Sequence, residues 1–467
     1  MCGIFGIFDK SGRAVPRLDV ERMGKVQRHR GPDDQGLFSE GAVSFGMQRL
    51  AIIDVSGGHQ PISNEDDTVT VVCNGEIYNF RELRSRLQAK GHRFKSGSDT
   101  EVIVHLYEEF GLDFVKQLSG MFAFALWDSK RRRLVLARDR LGIKPLYVSE
   151  NSRHLAFSSE LKSILEVRDF ERQVDKLALH EYLALGYVPA PLSILKGIEK
   201  LPPATILVVD EKGTQRHRYW NLSEKAVVEK PANEWVTELR DVLEEAVVSQ
   251  MVSDVPLGAF LSGGLDSSAV VAFMAKNSTQ PVKTYSIGFD TDTGGGYYNE
   301  LPFARQVTQR FKTDHHEIVV RPDVTKLLPE LLWHMDEPIA DAAFITTFLV
   351  SKFAREDVTV ILSGVGGDEL FGGYRRYWSD NLARKYQKIP SAIRRSIIQP
   401  LGALLPSDRH SKILDREIDP GQPRVKGIPV KARMRHFLNL GKVEYRLTQL
   451  RRAFRWDHMD RIFLYHS

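Results

Sequence analysis

Two stretches of this chain combine residue types and spacings that could do chemistry, and more than half the sequence separates them. One is Ser262-Gly263-Gly264-Leu265-Asp266-Ser267-Ser268. An apolar run, Leu257–Leu261, leads into it and a helical stretch, Ala269–Lys276, leads out, so it reads as a turn between a buried strand and a helix. Small residues let a phosphate chain approach the backbone, and the free N–H groups and dipole of the helix start hold it there. Hydroxyls of Ser262, Ser267 and Ser268 add donors, and Asp266 can carry Mg²⁺ between protein and phosphates. No Gly-Lys-Ser/Thr closes the turn, so it is not a P-loop.

The other stretch is Met1-Cys2-Gly3-Ile4-Phe5-Gly6-Ile7-Phe8, which reads as a strand from the extreme N-terminus. Loss of Met1 would leave Cys2 with a free α-amine. Such an amine has a reference pKa of about 8 and a thiol about 8.5, so the two can exchange a proton near neutrality. A nucleophile whose own amine serves as base needs no histidine.

Several elements are needed to position these groups. In the first half, Gln48-Arg49-Leu50-Ala51-Ile52-Ile53-Asp54 places an arginine at a strand start, and the apolar run Val71–Cys73 breaks into the polar loop Asn74-Gly75-Glu76-Ile77-Tyr78-Asn79. Gly97-Ser98-Asp99-Thr100-Glu101 is placed to cap a helix with apolar spacing at Val102, Leu106 and Phe110. Met121–Trp127 and Leu134–Asp139 read as paired strands, with the basic Lys130–Arg133 as a solvated hairpin tip rather than a nucleic-acid site. Cys73, inside an apolar strand, reads as core.

In the second half, Glu234–Val252 is helical, Lys283–Phe289 a strand, Glu300–Phe311 a helix and His315–Val320 a strand. This alternation is what a doubly wound parallel sheet requires. The adjacent His315 and His316 make a poor metal pair, because neighbouring strand residues point to opposite faces. Asp336, Glu337 and Asp341 lie near a helix start. The apolar strand Val358–Leu362 runs into a second glycine-rich turn, Ser363-Gly364-Val365-Gly366-Gly367-Asp368-Glu369, expected at the carboxyl edge of the sheet, facing the first.

Arg28-His29-Arg30-Gly31-Pro32-Asp33 joins the N-terminal Cys-Gly-Ile, Asn-Gly-Glu-Ile-Tyr-Asn and Ser-Asp-Thr-Glu in one order. That set resembles the class II glutamine amidotransferases, N-terminal-nucleophile hydrolases with an αββα sandwich. The resemblance implies Cys2 as the nucleophile that forms a glutamyl thioester. It implies the Asn74 side chain and Gly75 N–H as the oxyanion hole, Arg49 on the glutamine carboxylate, and Glu76 with Asp99 on its ammonium. The Ser262–Ser268 loop resembles that of the ATP pyrophosphatases. Taken with Ser363–Tyr374, the whole resembles the glutamine-hydrolysing asparagine synthetases.

That family implies ATP contacts at Phe260, Ser262, Gly263, Gly264, Leu265, Asp266, Ser267, Ser268, Ile287, Ser363 and Gly364, and Mg²⁺ at Asp266 and Asp368. It implies an adenylated aspartate attacked by ammonia that arrives through an apolar internal passage. The expected domains are a glutaminase over 2–215 and an ATP-binding synthetase domain over 234–467, short or divergent at its C-terminal end. Two departures stand out: Val365 replaces the family's acidic residue, and no Lys-Val-Asp-Arg segment occurs before Ser467. They keep two alternatives open, another acceptor carboxylate (in exopolysaccharide or peptide modification) and a paralogue that only hydrolyses glutamine.

The bounds set by composition agree. With 467 residues, 42% hydrophobic and 27% charged, the chain has the make-up of a globular protein of two or three domains. A net charge of +5 is too small at this length to argue for nucleic acid. Two cysteines are too few for a disulfide framework. No long apolar span or signal-like start is present, so the expectation is a cytoplasmic protein acting on small molecules, without membrane or nucleic-acid partners, with homodimerisation left open.

Overall fold

The computed structural model describes residues 1–168, 170–222, 228–290, 299–321, 323–341, 343–374, 377, 384–394 and 396. The basic stretch from Arg433 to Arg461, part of the C-terminal end expected from sequence to be divergent, lies outside the described residues.

The first half runs β1 (Gly3–Asp9), α1 (Arg17–Lys25), β2 (Asp34–Glu40), β3 (Val43–Arg49), β4 (Ile62–Ser63), β5 (Val69–Ile77), α2 (Phe80–Ala89), α3 (Val102–Phe110), β6 (Gly120–Asp128) and β7 (Arg133–Arg138). It continues with β8 (Tyr147–Glu150), β9 (His154–Ser158), α4 (Leu161–Ile164), α5 (Lys176–Leu185), β10 (Glu199–Lys200), β11 (Thr205–Asp210) and β12 (Gly213–Arg218). Two six-stranded sheets result, ordered β10-β8-β9-β1-β3-β2 and β12-β11-β7-β6-β5-β4.

Alternation along a strand explains how they stack. Ile4 and Phe8 of β1 enter a core shared with Ala123, Ala125 and Trp127 of β6 in the facing sheet. Phe5 and Ile7 point the other way, onto Val20 and Met23 of α1. On the far side, Phe122, Phe124 and Leu126 of β6 pack with Leu83 of α2 and Ile103 and Leu106 of α3. Each sheet is therefore apolar on both faces, and the arrangement is an αββα sandwich. Cys73 lies in the β5–α3 core, as its apolar strand suggests.

The second half runs α6 (Ala232–Ser249), β13 (Leu257–Phe260), α7 (Leu265–Asn277), β14 (Lys283–Phe289), α8 (Leu301–Phe311), β15 (Asp314–Val320), α9 (Val324–Met335), α10 (Ala343–Ala354), β16 (Val360–Leu362) and α11 (Gly367–Phe371). Its four strands are all parallel, in the order β15-β14-β13-β16. One face packs on α7 and α8 through Ala259, Leu261, Val271, Met274 and Ala304. The opposite face packs on α10 through Tyr285, Val350 and Ala354. From β13 the chain proceeds to β14 on one side, and β16 later fills the other, so the order reverses between β13 and β16. Ligands of doubly wound sheets bind at such a reversal, and both glycine-rich turns follow these two strands. His315 Nδ1 is 2.9 Å from Thr284 Oγ1 and its Nε2 3.1 Å from Glu317 Oε1, while the His316 ring stacks on Tyr285 at 5.2 Å.

The carboxylates placed by sequence near a helix start have another use. Asp336 and Glu337 sit in the α9–α10 connection and plug into the first half. Asp336 accepts a hydrogen bond from Leu161 N at 2.7 Å and pairs with Lys162 at 2.7 Å. Glu337 accepts from Ile194 N at 2.8 Å and Tyr147 Oη at 3.2 Å, and pairs with Lys200 at 2.5 Å. A second tie joins Asp54 N to Asp254 Oδ2 at 2.7 Å and Asp254 N to Ile52 O at 3.0 Å. Glu337 and Lys200 are both nearly buried, so removing one partner strands the other's charge. Glu337→Ala is expected to cost about 3–5 kcal/mol, read as a lowered denaturation midpoint.

Candidate functional site

Cys2 directly precedes β1, the strand packed between β3 and β9, so its neighbours are set by backbone pairing. Its thiol donates to Leu50 O at 3.6 Å and accepts from Leu50 N at 3.4 Å, and Arg30 Nε donates to its carbonyl at 2.8 Å. Burial pushes the thiol's pKa up, with a nearby Lys144 pulling it down and Glu76 adding to the rise. Burial also holds the Met1 amine down at about 5, although the adjacent thiolate charge opposes this. The Met1 amine is thus unprotonated at neutral pH.

The other residues expected on the glutamine side are brought to the same end of the sandwich. Asn74, Gly75 and Glu76 are not the loop expected from sequence but the closing residues of strand β5, held extended to Ile77 by pairing with β6. Asn74 Nδ2 donates to Ser159 Oγ at 3.4 Å, and the same hydroxyl accepts from Ile4 N at 3.0 Å, which ties Asn74 to the strand after Cys2. Only glycine fits at 75, since an added Cβ would sit 2.2 Å from Met121 O. Arg49 ends β3 rather than starting a strand as the sequence suggests, because residues 50–54 curl into a loop that its buried guanidinium holds, donating to Val55 O, Ile53 O and Asp54 O at 3.1, 3.1 and 2.8 Å.

Asp99 differs from the expectation that its segment caps a helix. The N-terminus of α3 has no side-chain cap, and the Asp99 carboxylate instead accepts from Ile77 N at 2.8 Å. The loop curls inward because Glu101 accepts from Lys95 N and Ser96 N at 2.5 and 2.7 Å. Burial raises the Asp99 carboxyl to about 6. Burial together with Asp99 raises Glu76 well above the usual carboxylate range.

In the parallel-sheet half, the loop after β13 turns at Gly263, whose φ of +80° favours glycine. Ser262 Oγ lies 2.9 Å from Ser267 Oγ and accepts from Gly264 N at 3.2 Å, while Ser268 Oγ donates to Gly264 O at 2.6 Å. Leu265 is exposed, and so contributes backbone only. The turn after β16 is pressed against this loop. A Cβ at Gly364 would meet Ser267 N at 2.6 Å, and one at Gly367 would meet Asp266 Oδ2 at 2.3 Å. That contact sets Asp266 close to Asp368: burial, then the charges of Asp368 and Glu369, raise the Asp266 carboxyl. Unneutralised carboxylates beside donors for phosphate are a donor set that suits a hard dication.

Between the two groups lies a cavity of about 1080 Å³. Its wall includes Met1, Arg30, Leu50 and Ser159 beside Cys2, and Phe260, Ser262, Ile287, Ser363 and Val365 at the edge of the parallel sheet.

Comparison with known proteins follows the same division. Residues 1–220 match the glutamine amidotransferase domain family and residues 238–462 the asparagine synthase family. A Bacillus subtilis protein named asparagine synthetase (glutamine-hydrolyzing) 1 is 36% identical over 431 residues, 91% of this chain. A Methanocaldococcus jannaschii relative is 39% identical over 420 residues, 84% of this chain. The chain belongs to the glutamine-hydrolysing asparagine synthetase family. It spans 67% of the length of the Bacillus protein, 79% of the Methanocaldococcus one and 60% of a maize relative, which is 34% identical to it. Members of this family are carbon–nitrogen ligases, and the family uses ATP.

Sequence reasoning on this synthetase-family chain passed over three supports near Cys2: Arg30, Ser159 and Lys144. Arg30 lies in the Arg28–Asp33 motif that carries the amidotransferase resemblance, where it received no role, and Ser159 and Lys144 lie in stretches with no local signal of chemistry. Lys144 is fully enclosed, and burial lowers its pKa although Glu76 and Cys2 pull it up. Only folding puts that ammonium beside the thiol. Among the described residues, no helix is long and apolar enough to cross a membrane.

Proposed function

We propose that this chain is an ATP- and glutamine-dependent asparagine synthetase in which Cys2 frees ammonia that is fixed onto an adenylated aspartate. The observation that carries the reading is the cavity bordered at one end by residues around Cys2 and at the other by both glycine-rich turns. Freed of Met1, the Cys2 amine takes the thiol proton, and the thiolate attacks the glutamine side-chain amide. Asn74 Nδ2 and Gly75 N–H steady the developing oxyanion, a contribution of about 100-fold or more per donor. Arg49 holds the α-carboxylate, while Glu76 and Asp99 hold the ammonium. At the sheet, Phe260 and Ile287 flank the adenine, and the Ser262–Ser268 loop with Ser363 and Gly364 grips the phosphates. Mg²⁺ held by Asp266 and Asp368 would neutralise charge on the departing pyrophosphate. Aspartate's carboxylate attacks the α-phosphorus, and ammonia then displaces AMP inside the cavity, away from water. The expected compartment is the cytoplasm, and we place glutamine, aspartate and ATP as the partners.

Val365 favours a second reading. It is exposed and lines the cavity where the family's acidic residue is expected, and valine supplies neither charge nor base. An acceptor other than aspartate fits that change.

One assay tests both: glutamine, ATP and Mg²⁺ are supplied with and without aspartate, and glutamate, pyrophosphate and asparagine are followed. Aspartate-dependent pyrophosphate is expected. Pyrophosphate with a different acid only would change the acceptor, and glutamate alone would leave a glutaminase.

The titration of Asp99 adds a pH prediction. Its carboxyl sits at about 6, so below that pH it is neutral and loses its attraction for the glutamine ammonium. The kcat/KM for glutamine hydrolysis is expected to fall as pH drops through about 6, through KM more than kcat. A pH profile flat to pH 5 would remove Asp99 from ammonium binding.

A further inference from the structure

Outside both sites, four side chains converge on the outer layer of the sandwich: Glu65 in the β4–β5 turn, His92 after α2, and His105 and Glu108 one turn apart on α3. One donor atom from each lies within 4.8 Å of every other. His105 Nδ1 is 3.4 Å from Glu65 Oε2 and 3.5 Å from Glu108 Oε2. His92 Nδ1 is 3.6 Å from Glu65 Oε1 and 3.7 Å from Glu108 Oε2. These separations are too long for hydrogen bonds. These four of the six pairwise separations are close to the donor–donor spacing around a zinc ion, roughly 3.3–3.6 Å for Zn–N and Zn–O bonds of about 2.0–2.2 Å.

A second observation is independent of the spacing. His105 is fully buried, and neither ring nitrogen has a hydrogen-bond partner. A buried polar group left without a partner is destabilising, and Nδ1 of this ring is aimed into the cluster. The outward nitrogens complete the pattern. His105 Nε2 faces the buried Glu101 carboxylate at 3.7 Å, and His92 Nε2 lies 3.2 Å from Glu109 Oε1. A carboxylate behind the far nitrogen is the usual support of a metal-bound imidazole.

We propose that Glu65, His92, His105 and Glu108 form a zinc site that clips the β4–β5 turn and the segment after α2 to α3. Two imidazoles disfavour Mg²⁺ and Ca²⁺, which take oxygen ligands, and two imidazoles with two carboxylates are a donor set that suits zinc. Four protein ligands leave no open position, so the ion is structural rather than catalytic. Because α3 begins three residues after Asp99, the clip braces the loop that carries that carboxylate.

The test uses the untagged full chain, stripped with a chelator and dialysed against Zn²⁺ of known concentration. One zinc per chain is expected, and Co²⁺ in its place should give the intense visible absorption of a tetrahedral site. His92→Gln and Glu108→Gln, both at the partly exposed edge of the cluster, should each weaken zinc at least about tenfold, and Glu109→Gln about 10–100-fold. His180→Ala, on the exposed face of α5, should bind as the parent does. Far-ultraviolet circular dichroism of each variant separates lost ligation from lost fold. Failure of the parent chain to take up zinc in stoichiometric amount would overturn the proposal and leave only a polar cluster of two histidines and two glutamates. Unchanged zinc affinity in folded His92→Gln or Glu108→Gln would overturn it equally.

Discussion

Cys2→Ala is expected to abolish glutamine-dependent synthesis while leaving synthesis from ammonium salts close to that of the parent chain. Removing an attacking nucleophile typically costs on the order of 10⁴-fold or more, since what remains comes from binding and the oxyanion hole. The separation of the two activities follows from where the thiol lies. Its contacts are Leu50 and the strands of the N-terminal sandwich, and none reaches the Ser262–Ser268 loop. Glutamate release and asparagine formation, each measured with glutamine and then with ammonium, decide the matter. Residual glutamate release at more than about a hundredth of the parent rate would move the nucleophile elsewhere. The N-terminus of the purified chain should begin at Cys2 by mass, because a retained Met1 denies the thiol its own amine.

The second large effect is expected at the junction of the two glycine-rich turns. Asp266→Asn removes a carboxylate assigned to Mg²⁺, a loss of several kcal/mol of charge stabilisation and hence roughly 10²–10⁴-fold in aspartate-dependent pyrophosphate release. Gly367→Ala tests the same site through geometry alone. Its new methyl group would lie 2.3 Å from Asp266 Oδ2, so the carboxylate must move, and displacements of about 1 Å in such sites cost roughly 10²-fold. Glutamine hydrolysis by both variants should stay near the parent rate when ATP is absent. If Gly367→Ala made pyrophosphate normally, the contact between the turns would have no part in adenylation.

Both predictions rest on motifs legible before any fold was known. The strand–turn–helix at Ser262–Ser268 and the strand entering Asn74-Gly75 are local events. Apolar runs broken by glycine and polar residues specify them within a dozen positions. Less legible were residues whose role depends on what faces them. Asp99 reads as a helix cap from its neighbours, but Glu101 takes the nearby backbone donors and Asp99 turns inward to Ile77 N. Asp336 and Glu337 read as part of a helix start. Their partners, Leu161, Lys162, Ile194 and Lys200, lie more than 130 residues away. The cluster around His105 draws on three separate segments and leaves no periodic trace.

The amino-acid order by itself determined which pieces this protein contains: a thiol at the head of a strand, two phosphate-sized turns after apolar strands, and the alternation that makes one sheet parallel. Those follow from short-range sterics and from which residues leave water together. Tertiary structure alone decided how the pieces meet. The cavity between thiol and turns, the ammonium of Lys144 beside Cys2 and the approach of Asp368 to Asp266 arise from packing surfaces distant in sequence. Such contacts depend on the shape and charge of both partners at once, and neither partner's local sequence records the other.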